Sequence, residues 1–560
     1  MRRPNILWIT FEDTSPRFGC YGDPLARTPN VDRLAAEGCR YANTFAVASM
    51  CSPARSAIIT GMYPTFIGAH HHRSISTDPV VPGLPTPYEC VPPHHVRLIP
   101  EYLRAAGYYC TNNVKTDYQF EPPLSAWDHV STEAHWRNRP DPGQPFFAVF
   151  NGEVTHESGM WDEKFPGGTK TDPARVVVPP YLPDTPRVRG VIARQYDNVA
   201  MNDGWAGSLL RQLEEDGLAD NTIVFLWSDH GEGLPRAKCL LYDSGIRVPM
   251  IVRWPGGLEP GSVDDRLVST IDLGPTVLAL AGVQSPVHLQ GQPFLGPRAR
   301  RRGHIFAAGD RQDQSYDMVR IVRDKRFKYF RNYYAGTPPL AIWHPYRDHH
   351  PAMRELWRLH AAGQLTGPQQ FWFTPRPAEE LYDTREDPYE IHNLAEDPDH
   401  ASIREQLRAV MDNCLQRYDR FGAVDERTMV HQWWSGEEQP TTAPVRALAY
   451  RRDGTSEVLR EDDHTGVDYG QYAAADGVSP VPLGGNQTLG VPVLLRFVCA
   501  TQGASIAWST EPDAKPPRWR LYTGPIRLTE PAALTIHVIA HRIGYKPART
   551  TCLRLSLARP

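Results

Sequence analysis

Short apolar runs, each followed by polar residues, recur along the first half of the chain. They predict buried β-strands, which we place at residues 6–9, 108–110, 146–150 and 223–227. Segments with helical spacing lie between them, at residues 28–38, 99–106 and 191–216. Strands that alternate with helices predict an α/β fold with a largely parallel sheet, in which ligands bind beyond the carboxyl ends of the strands.

Polar side chains suited to metal binding or proton transfer follow these predicted strands. The set comprises Glu12, Asp13, Lys115, His156, Asp229 and His230. Taken singly, such residues are more often loop, cap or surface residues. We expect them to meet at one edge of the sheet, where the carboxylates would suit a hard divalent cation.

The pattern changes in the second half of the chain. Residues 319–330 predict a β-hairpin, 381–383 another short strand and 403–418 a helix, which together indicate a smaller α+β subdomain. From about residue 480 the pattern is all β, and turn residues between the runs favour a small β-sandwich. Its strands are expected at 494–499, 505–509 and 533–540.

Composition narrows the functional class. The 560 residues are 41% hydrophobic with a net charge of −4, which excludes a disordered chain and gives no overall basic field for nucleic-acid binding. No apolar stretch approaches the about 20 residues that span a bilayer. Nine cysteines without CxxC spacing indicate neither a zinc site nor a disulfide framework. The apolar run at 6–9 is too short for a signal peptide, so we expect a cytoplasmic protein, or a periplasmic one if a leader has been removed.

The segment Cys51-Ser52-Pro53-Ala54-Arg55, followed by Thr60-Gly61, is the most informative in the chain. Pro53 is typical of a first helical turn, so Cys51 would lie at a helix N-terminus, where free N–H groups favour an anion. Arg55 would lie one turn further on, near the same point. A bare Cys-x-x-x-Arg more often means a buried cysteine beside a solvated arginine.

In its context, this segment resembles the signature of the type I sulfatases, which belong to the alkaline phosphatase superfamily. The resemblance covers about residues 4–400 and implies an α/β fold with a large mixed, mostly parallel sheet between helices and a smaller α+β subdomain. Agreement with the family is found at residues 4–7, 28–34, 228–232, 245–249 and 380–383.

The C-terminal residues have a resemblance of their own. Residues 504–509, 521–526 and 534–536 look like the small β-sandwich appended to chitobiases and other glycan hydrolases, where a structural cap is the simplest role. We therefore expect four segments along the chain. They are a sulfatase-like catalytic domain at 1–320, an α+β subdomain at 321–435, a linker at 436–480 and a β-sandwich at 481–560.

The sulfatase resemblance implies a set of site residues. In that family a maturase oxidises the cysteine to formylglycine, so residue 51 would be both the nucleophile and a metal ligand. Its implied catalytic partners are Arg55, Lys115, His156 and Lys238, and the other implied metal ligands are Glu12, Asp13, Asp229 and His230. Because the family often has asparagine where this chain has His230, and imidazole is an unusual calcium ligand, we expect Ca²⁺ with Mn²⁺ as the alternative.

The implied mechanism follows from charge. The metal together with Arg55, Lys115 and Lys238 would neutralise the sulfonyl oxygens while one hydroxyl of hydrated formylglycine attacks sulfur. His156 would protonate the leaving group, and the second hydroxyl would then expel sulfate and regenerate the aldehyde. Asp117 departs from the family, because sulfatases carry a Lys-x-His where this chain has Lys115-Thr116-Asp117.

The substrate class also rests on resemblance. Residues 233–236 and 241–245 are similar to those of heparan N-sulfatases and bacterial glycan sulfatases. They imply a bacterial enzyme that hydrolyses sulfate esters or sulfamates of a sulfated sugar, with His70, His71 and Asp117 as candidate substrate-binding residues. The run of histidines at 70–72 is explained equally well as a fortuitous loop sequence.

Two other functions stay open on sequence grounds. A formylglycine-dependent phosphonate monoester or phosphodiester hydrolase would share the signature, and Asp229-His230 resembles the metal pair of those relatives. A non-catalytic glycan-binding relative would keep Cys51 unmodified. The partners expected are a sulfated carbohydrate and the maturase, with neither nucleic acid nor a membrane.

Overall fold

The computed structural model describes residues 3–75, 84, 87–164, 168–339, 345–451, 481–483, 486–515 and 517–559. Within these ranges the α/β fold with a large, mostly parallel sheet is confirmed. No helix in the described part of the chain combines the length and apolar character that a membrane crossing needs.

The large sheet has eight strands in the order β4-β3-β5-β1-β6-β7-β2-β8. Its neighbours run parallel except where β7 pairs with β6 and with β2. The strands are β1 Asn5–Phe11, β2 Cys39–Phe45, β3 Tyr109–Asn113, β4 His129–Val130, β5 Phe146–Gly152, β6 Thr222–Ser228, β7 Met250–Arg253 and β8 Ser262–Ser269.

Helices cover both faces of the sheet, which explains why β1, β5 and β6 are buried along their whole lengths. The helices are α1 Pro29–Ala36, α2 Cys51–Thr60, α3 Pro64–Ile67, α4 Ile99–Ala105, α5 Pro186–Glu215, α6 Asp243–Ile246, α7 Leu273–Leu280, α8 Pro351–Ala361, α9 Ala401–Tyr418 and α10 Glu426–Trp433. The helices expected at 28–38, 99–106 and 191–216 correspond to α1, α4 and α5.

A second, antiparallel sheet forms the smaller subdomain in the order β12-β11-β10-β9. Its strands are β9 Ile305–Gly309, β10 Val319–Arg323, β11 Phe327–Asn332 and β12 Glu379–Asp383, and β10 and β11 form the expected hairpin. Helix α9 packs Leu407 and Met411 against Val322 and Tyr329 of this sheet. The boundary expected at residue 320 is wrong, because it cuts β10 and leaves β9 outside the sheet to which it belongs.

The C-terminal region is a two-sheet sandwich, with orders β14-β13-β16-β19 and β15-β21-β20-β17-β18. Its strands are β13 Val445–Arg451, β14 Val481–Leu483, β15 Asn486–Gly490, β16 Val493–Cys499, β17 Ser505–Ser509, β18 Arg520–Leu521, β19 Ile526–Leu528, β20 Ala533–His541 and β21 Thr551–Ala558.

The linker expected at 436–480 is corrected by β13. This strand pairs with β16 along its whole length, and its alternate residues Val445, Ala447 and Ala449 enter the sandwich core. The sandwich therefore begins near residue 445. Of the remaining expected linker, 436–444 precedes this strand and 452–480 lies outside the described residues.

The sandwich docks on the catalytic domain. Ile543 of the sandwich packs in the main apolar core of the catalytic domain, together with Val96 and Tyr102. A polar contact joins the same two units, in which Arg104 Nη2 donates to the carbonyl oxygen of Trp519 at 2.5 Å. Gly503, at φ +79°, lies so close to the His94 carbonyl that a Cβ atom would overlap it. The C-terminal region is thus packed into the molecule.

Candidate active site

Cys51 is the first residue of α2, beyond the carboxyl end of β2, and its side chain is 3% exposed. The free N–H groups and the helix dipole at this end favour negative charge beside residue 51. Its Sγ lies 3.3 Å from His230 Nε2. Burial raises the pKa of the Cys51 thiol well above its usual value, so the unmodified side chain is protonated at neutral pH.

The neighbouring strands β1 and β6 bring the predicted carboxylates together. Phe11 pairs with Ser228 in register, so the residues that follow each strand emerge side by side. The Asp13 N–H donates to Asp229 Oδ1 at 3.2 Å, and Asp13 Oδ1 lies 3.1 Å from His230 Nε2. Asp13 holds φ +46°, a conformation that turns its side chain at the strand end and that aspartate tolerates better than most residues.

These side chains form a potential cation site. Ligand atoms of Glu12, Asp13, Cys51 and His156 all lie within 4.8 Å of one another, and those of Cys51, Asp229 and His230 do the same. Glu12 Oε2 is buried without a hydrogen-bond partner. An orphaned carboxylate oxygen beside two further carboxylates fits a hard divalent cation, which would satisfy it.

Arg55 and Lys115 complete the charge balance on one side of residue 51. Arg55 Nε donates to Asp229 Oδ2 and Nη1 to Asn151 Oδ1, each at 2.9 Å, while Lys115 Nζ donates to Glu12 Oε1. Burial alone would raise the pKa of Glu12, but Lys115 and Arg55 together lower it, so this carboxylate is ionised.

Lys238 and His156 lie on the other side. Lys238 Nζ is 2.8 Å from Asp13 Oδ2, 3.1 Å from His156 Nε2 and 3.4 Å from Glu157 Oε1. Burial and the Lys238 charge lower the pKa of His156. Burial also acts to lower the pKa of Lys238, but Asp13 and the other anionic groups around it together raise that pKa well above its usual value. Lysine is therefore the charged member of the pair.

A fixed loop holds Lys238 in place. Its backbone N–H donates to the Glu232 carbonyl at 3.0 Å, and its carbonyl accepts from Arg347 Nη1 at 2.7 Å. The next residue, Cys239, adopts φ +78° and donates its N–H to the Ser49 carbonyl, two residues before Cys51. The lysine is thereby tied to the loop that precedes α2.

The predicted catalytic and metal residues are all brought together, but the substrate-binding predictions are divided. Asp117 is partly exposed, with its Oδ2 3.6 Å from Lys115 Nζ. His70 and His71 are 4% and 5% exposed, their rings are 4.1 Å apart, and His71 Nδ1 faces Glu426 Oε2 at 3.8 Å. Their described contacts place both rings in the interior beside Glu426 of α10.

Several supporting residues were not found from the sequence. Asn151 joins Arg55 to β3, accepting from Arg55 and donating from Nδ2 to Asn112 Oδ1 at 3.2 Å. Glu157 lies between Lys238 and Arg347, with its Oε2 3.9 Å from Arg347 Nε. Asn151 stands near the carboxyl end of β5, so the strand-end rule applied above identifies it; Arg347 comes from a distant segment and carries no local signal.

Comparison with known proteins identifies the family to which the chain belongs. The family profile described as Sulfatase matches residues 4–283, and that described as N-sulphoglucosamine sulphohydrolase, C-terminal, matches residues 232–336. The chain belongs to the sulfatase family. As a sulfatase it is a sulfuric ester hydrolase, as the site residues had indicated.

Two curated sulfatases are similar over most of their lengths. An ulvan-active sulfatase of Formosa agariphila is 38% identical over 590 aligned positions, which cover 98% of this chain and 90% of that protein. The human N-sulphoglucosamine sulphohydrolase is 27% identical, covering 73% of this chain and 89% of that protein. A protein whose structure was solved in complex with its substrate D-glucosamine-2-N,6-O-disulfate has a similar fold, with a TM-score of 0.54 at 18% identity, covering 76% of this chain and 99% of that one.

Proposed function

We propose that the protein is a glycan sulfatase that removes sulfate from a sulfated polysaccharide or its fragments through a formylglycine at position 51. The observation that carries the proposal is the grouping of Cys51 with Glu12, Asp13 and His156 inside 4.8 Å. The similarity to an ulvan-active sulfatase along 98% of the chain supports a polysaccharide of that kind as the source of substrate. The N-sulphoglucosamine relative supports sulfamates as a second bond type.

A divalent metal would be held by the side chains of Glu12, Asp13, Asp229 and His230. Bound there, it supplies positive charge next to the sulfonyl group and to the hydroxyl of residue 51. We propose Ca²⁺ for the oxygen-rich side of the set, with Mn²⁺ as the competitor because an imidazole belongs to it.

Three cations of the chain would bind the sulfate group itself. A sulfate ester is an anion, so a nucleophile approaches sulfur against repulsion unless the oxygens are neutralised. Arg55, Lys115 and Lys238 surround Cys51 and are each held by a carboxylate, at Asp229, Glu12 and Asp13. Such preorganised charges need no rearrangement when the transition state forms.

His156 would serve the leaving group. Its Nδ1 lies 2.9 Å from Ser158 Oγ and its Nε2 faces Lys238, so the ring is fixed at both nitrogens. As negative charge develops on the departing sugar oxygen, His156 would protonate that oxygen and take a replacement proton from Lys238 at Nε2. The pair would then share one proton, instead of His156 carrying it alone.

Modification of Cys51 would supply the nucleophile. The buried, protonated thiol is a weak one. Hydrated formylglycine offers a hydroxyl in its place and a second hydroxyl for releasing sulfate. A maturase acting before folding is the implied partner, since Cys51 is 3% exposed in the folded chain.

The deciding experiment pairs mass spectrometry with a substrate comparison. The full chain is coexpressed with a maturase, the peptide around residue 51 is examined for the aldehyde, and turnover is compared for sulfated oligosaccharides, a phosphonate monoester and a phosphodiester. We expect the aldehyde and preference for the sulfated sugar, both lost in Cys51→Ala. Preference for the phosphorus esters would favour the phosphonate monoester or phosphodiester hydrolase, an alternative that His230 among the proposed metal ligands supports. An unmodified, inactive chain would favour the non-catalytic glycan-binding alternative.

A further inference from the structure

A large basic cleft, here called the arginine cleft, lies between α9 and the loop before β9. It has a volume of about 600 Å³. Among the described residues that line it, no side chain is acidic. The lining residues used below are Tyr63, Arg301, Arg302, His304, Arg417 and Tyr418.

The arginine cleft is separated from the catalytic cluster by the length of helix α2. Helix α2 begins at Cys51 and ends at Thr60, which spans about 15 Å, and Tyr63 just beyond its end lines the cleft. Strand β9 starts next to His304, and its own Phe306 lines the cleft as well. The two sites therefore lie at opposite ends of α2, and one does not form part of the other.

The cleft, together with the exposed segment that precedes Arg301 in the chain, carries an excess of positive charge. Arg298, Arg300 and Arg301 are exposed, and Arg298 and Arg300 form no ion pair with any residue in the described part of the chain. Arg417 is exposed as well and lies over the Tyr418 ring, 5.3 Å from its centroid. Arg302 is compensated, since its Nε donates to Asp272 Oδ2 at 2.6 Å. This concentration of arginines is notable in a chain whose net charge is −4.

We propose that the arginine cleft, extended by the exposed Arg298 and Arg300 that precede Arg301 in the chain, is a second binding site for an anionic, sulfated polysaccharide chain. Guanidinium forks match the oxygens of sulfate and carboxylate groups. The amides of Gln292 and Asn413 in the same wall offer hydrogen bonds to sugar hydroxyls. The choice of a sulfated glycan as occupant rests on the proposed function.

A site of this kind would act by tethering. A polysaccharide held in the cleft keeps its other sulfate groups at a high effective concentration near the catalytic cluster. A monosaccharide gains nothing, because it occupies one site at a time. The cleft therefore affects polymeric substrates selectively.

Binding to the cleft is measured on protein that cannot turn over substrate. The binding result therefore stands even if the proposed sulfatase activity is not found. The full chain is produced without a maturase and titrated with fluorescent dextran sulfate, with uncharged dextran as the ligand control. The variant R298Q/R300Q/R301Q is compared with R211Q/R446Q/R549Q, which removes the same charge from exposed arginines elsewhere, none of which forms an ion pair within the described residues. We expect affinity to fall at least about fivefold in the first variant, since arginine–anion contacts and the counterions they release are lost, and to change little in the second.

Each other result counts against the site. Equal losses in the two variants would reduce the effect to net charge, and unchanged affinity in both would remove the cleft as a binding site. Tighter binding of single-stranded DNA than of dextran sulfate at the same salt concentration would overturn the choice of occupant. With matured protein, the ratio of kcat/KM for polymer over sulfated monosaccharide should fall in the first variant and stay constant in the second.

Discussion

Lys238 Nζ lies 3.1 Å from His156 Nε2 and 2.8 Å from Asp13 Oδ2, so one ammonium joins the metal cluster to the proposed acid. Because an ammonium only donates, Nε2 accepts in this contact and the imidazole is neutral. The depressed pKa of His156 agrees with that assignment. The mobile proton of the pair is therefore carried by the lysine.

Replacing this lysine should impair chemistry more than binding. Lys238→Gln keeps a hydrogen-bond donor but removes the charge and the proton, and we expect kcat to fall by about 10²–10³-fold. Lys164→Gln is the matched control, because Lys164 donates to Ser158 Oγ at 3.0 Å, one contact further from the reacting atoms. Steady-state kinetics on a sulfated monosaccharide measure both. Equal losses in the two variants would contradict the role given to Lys238.

Asn151 should act by positioning Arg55. Asn151→Ala removes the acceptor 2.9 Å from Arg55 Nη1, and misplacing the guanidinium should lower kcat about 10–100-fold while leaving metal content unchanged. Thr10→Val is the control, since it removes only the Thr10 hydroxyl bond to Asn151 at 3.0 Å. Metal analysis is measured alongside kcat and KM. Loss of metal in Asn151→Ala would mean that the residue supports the cation site instead.

Metal removal should destabilise the folded chain as well as inactivate it. The buried, unpaired Glu12 Oε2 would gain its partner only from a cation, and a ligand at about 100 times its Kd stabilises by about 2.7 kcal/mol. Thermal unfolding is followed after chelation and after return of Ca²⁺ or Mn²⁺. We expect the midpoint to drop on chelation and to be restored by Ca²⁺. Restoration by Mn²⁺ alone would reverse the proposed choice of metal. The control is Glu153→Gln, at an exposed carboxylate nearby, which should behave as wild type.

Acid should destabilise the protein through its buried histidines, and His350 offers a clean case. Burial, with Arg347 adding repulsion, lowers the pKa of His350 to about 3, below the value of about 6.5 for an unfolded histidine. Between these values the unfolded chain binds the extra proton. The free energy of unfolding therefore falls as the pH drops below about 6.5, by about 1.4 kcal/mol per pH unit.

His350→Asn should remove that contribution while keeping the cap of α8, where His350 Nδ1 accepts from the Ala352 N–H at 3.2 Å. Denaturant unfolding between pH 6.5 and 4.5 should show a shallower loss of stability in this variant than in wild type. His349→Asn, at the exposed neighbour, should leave the slope unchanged. An unchanged slope in His350→Asn would mean that His350 is already protonated in the folded chain.

The contact between the sandwich and the catalytic domain should be sensitive at Gly503. Gly503→Val forces a branched side chain onto a residue at φ +79° and against the His94 carbonyl, so we expect about 2 kcal/mol or more of destabilisation. Gly490→Ala, with open space around its Cα, is the control. Calorimetry that shows equal effects at both glycines would argue that the interface is loose.

Much of the site could be predicted because its residues follow strands. Two pairs of site residues follow predicted strands: Glu12 and Asp13 follow β1, and Asp229 and His230 follow β6. The parallel pairing of β1 and β6 then brings the two pairs together at one edge of the sheet. The sequence carried no such signal for Arg347, which reaches Lys238 from a segment more than a hundred residues away. The substrate-binding role of His70 and His71 stays a prediction, because the direction of a ring in a short loop is set by the packing around it and not by the local sequence.

The boundaries failed where tertiary pairing overrode composition. Val445–Arg451 follows a polar stretch, yet its partners β14 and β16 lie beyond residues 452–480, and its pairing with them assigns it to the sandwich. The same holds for β9, which is separated from β10 by a loop but belongs to its sheet. Domain limits depend on contacts distant in sequence, and local patterns do not report them.

Ile543 has a consequence for any attempt to shorten or exchange the C-terminal region. Its side chain fills part of the core built by Val96 and Tyr102, so deleting the sandwich would open a hole in the catalytic domain and uncover α4. In a truncated enzyme, the apolar residues that become exposed would have to be replaced by polar ones before its activity could be compared with that of the full-length protein. Shuffling such sandwiches between sulfatases as interchangeable tails would fail unless the residue at 543 and the surface that receives it are exchanged together.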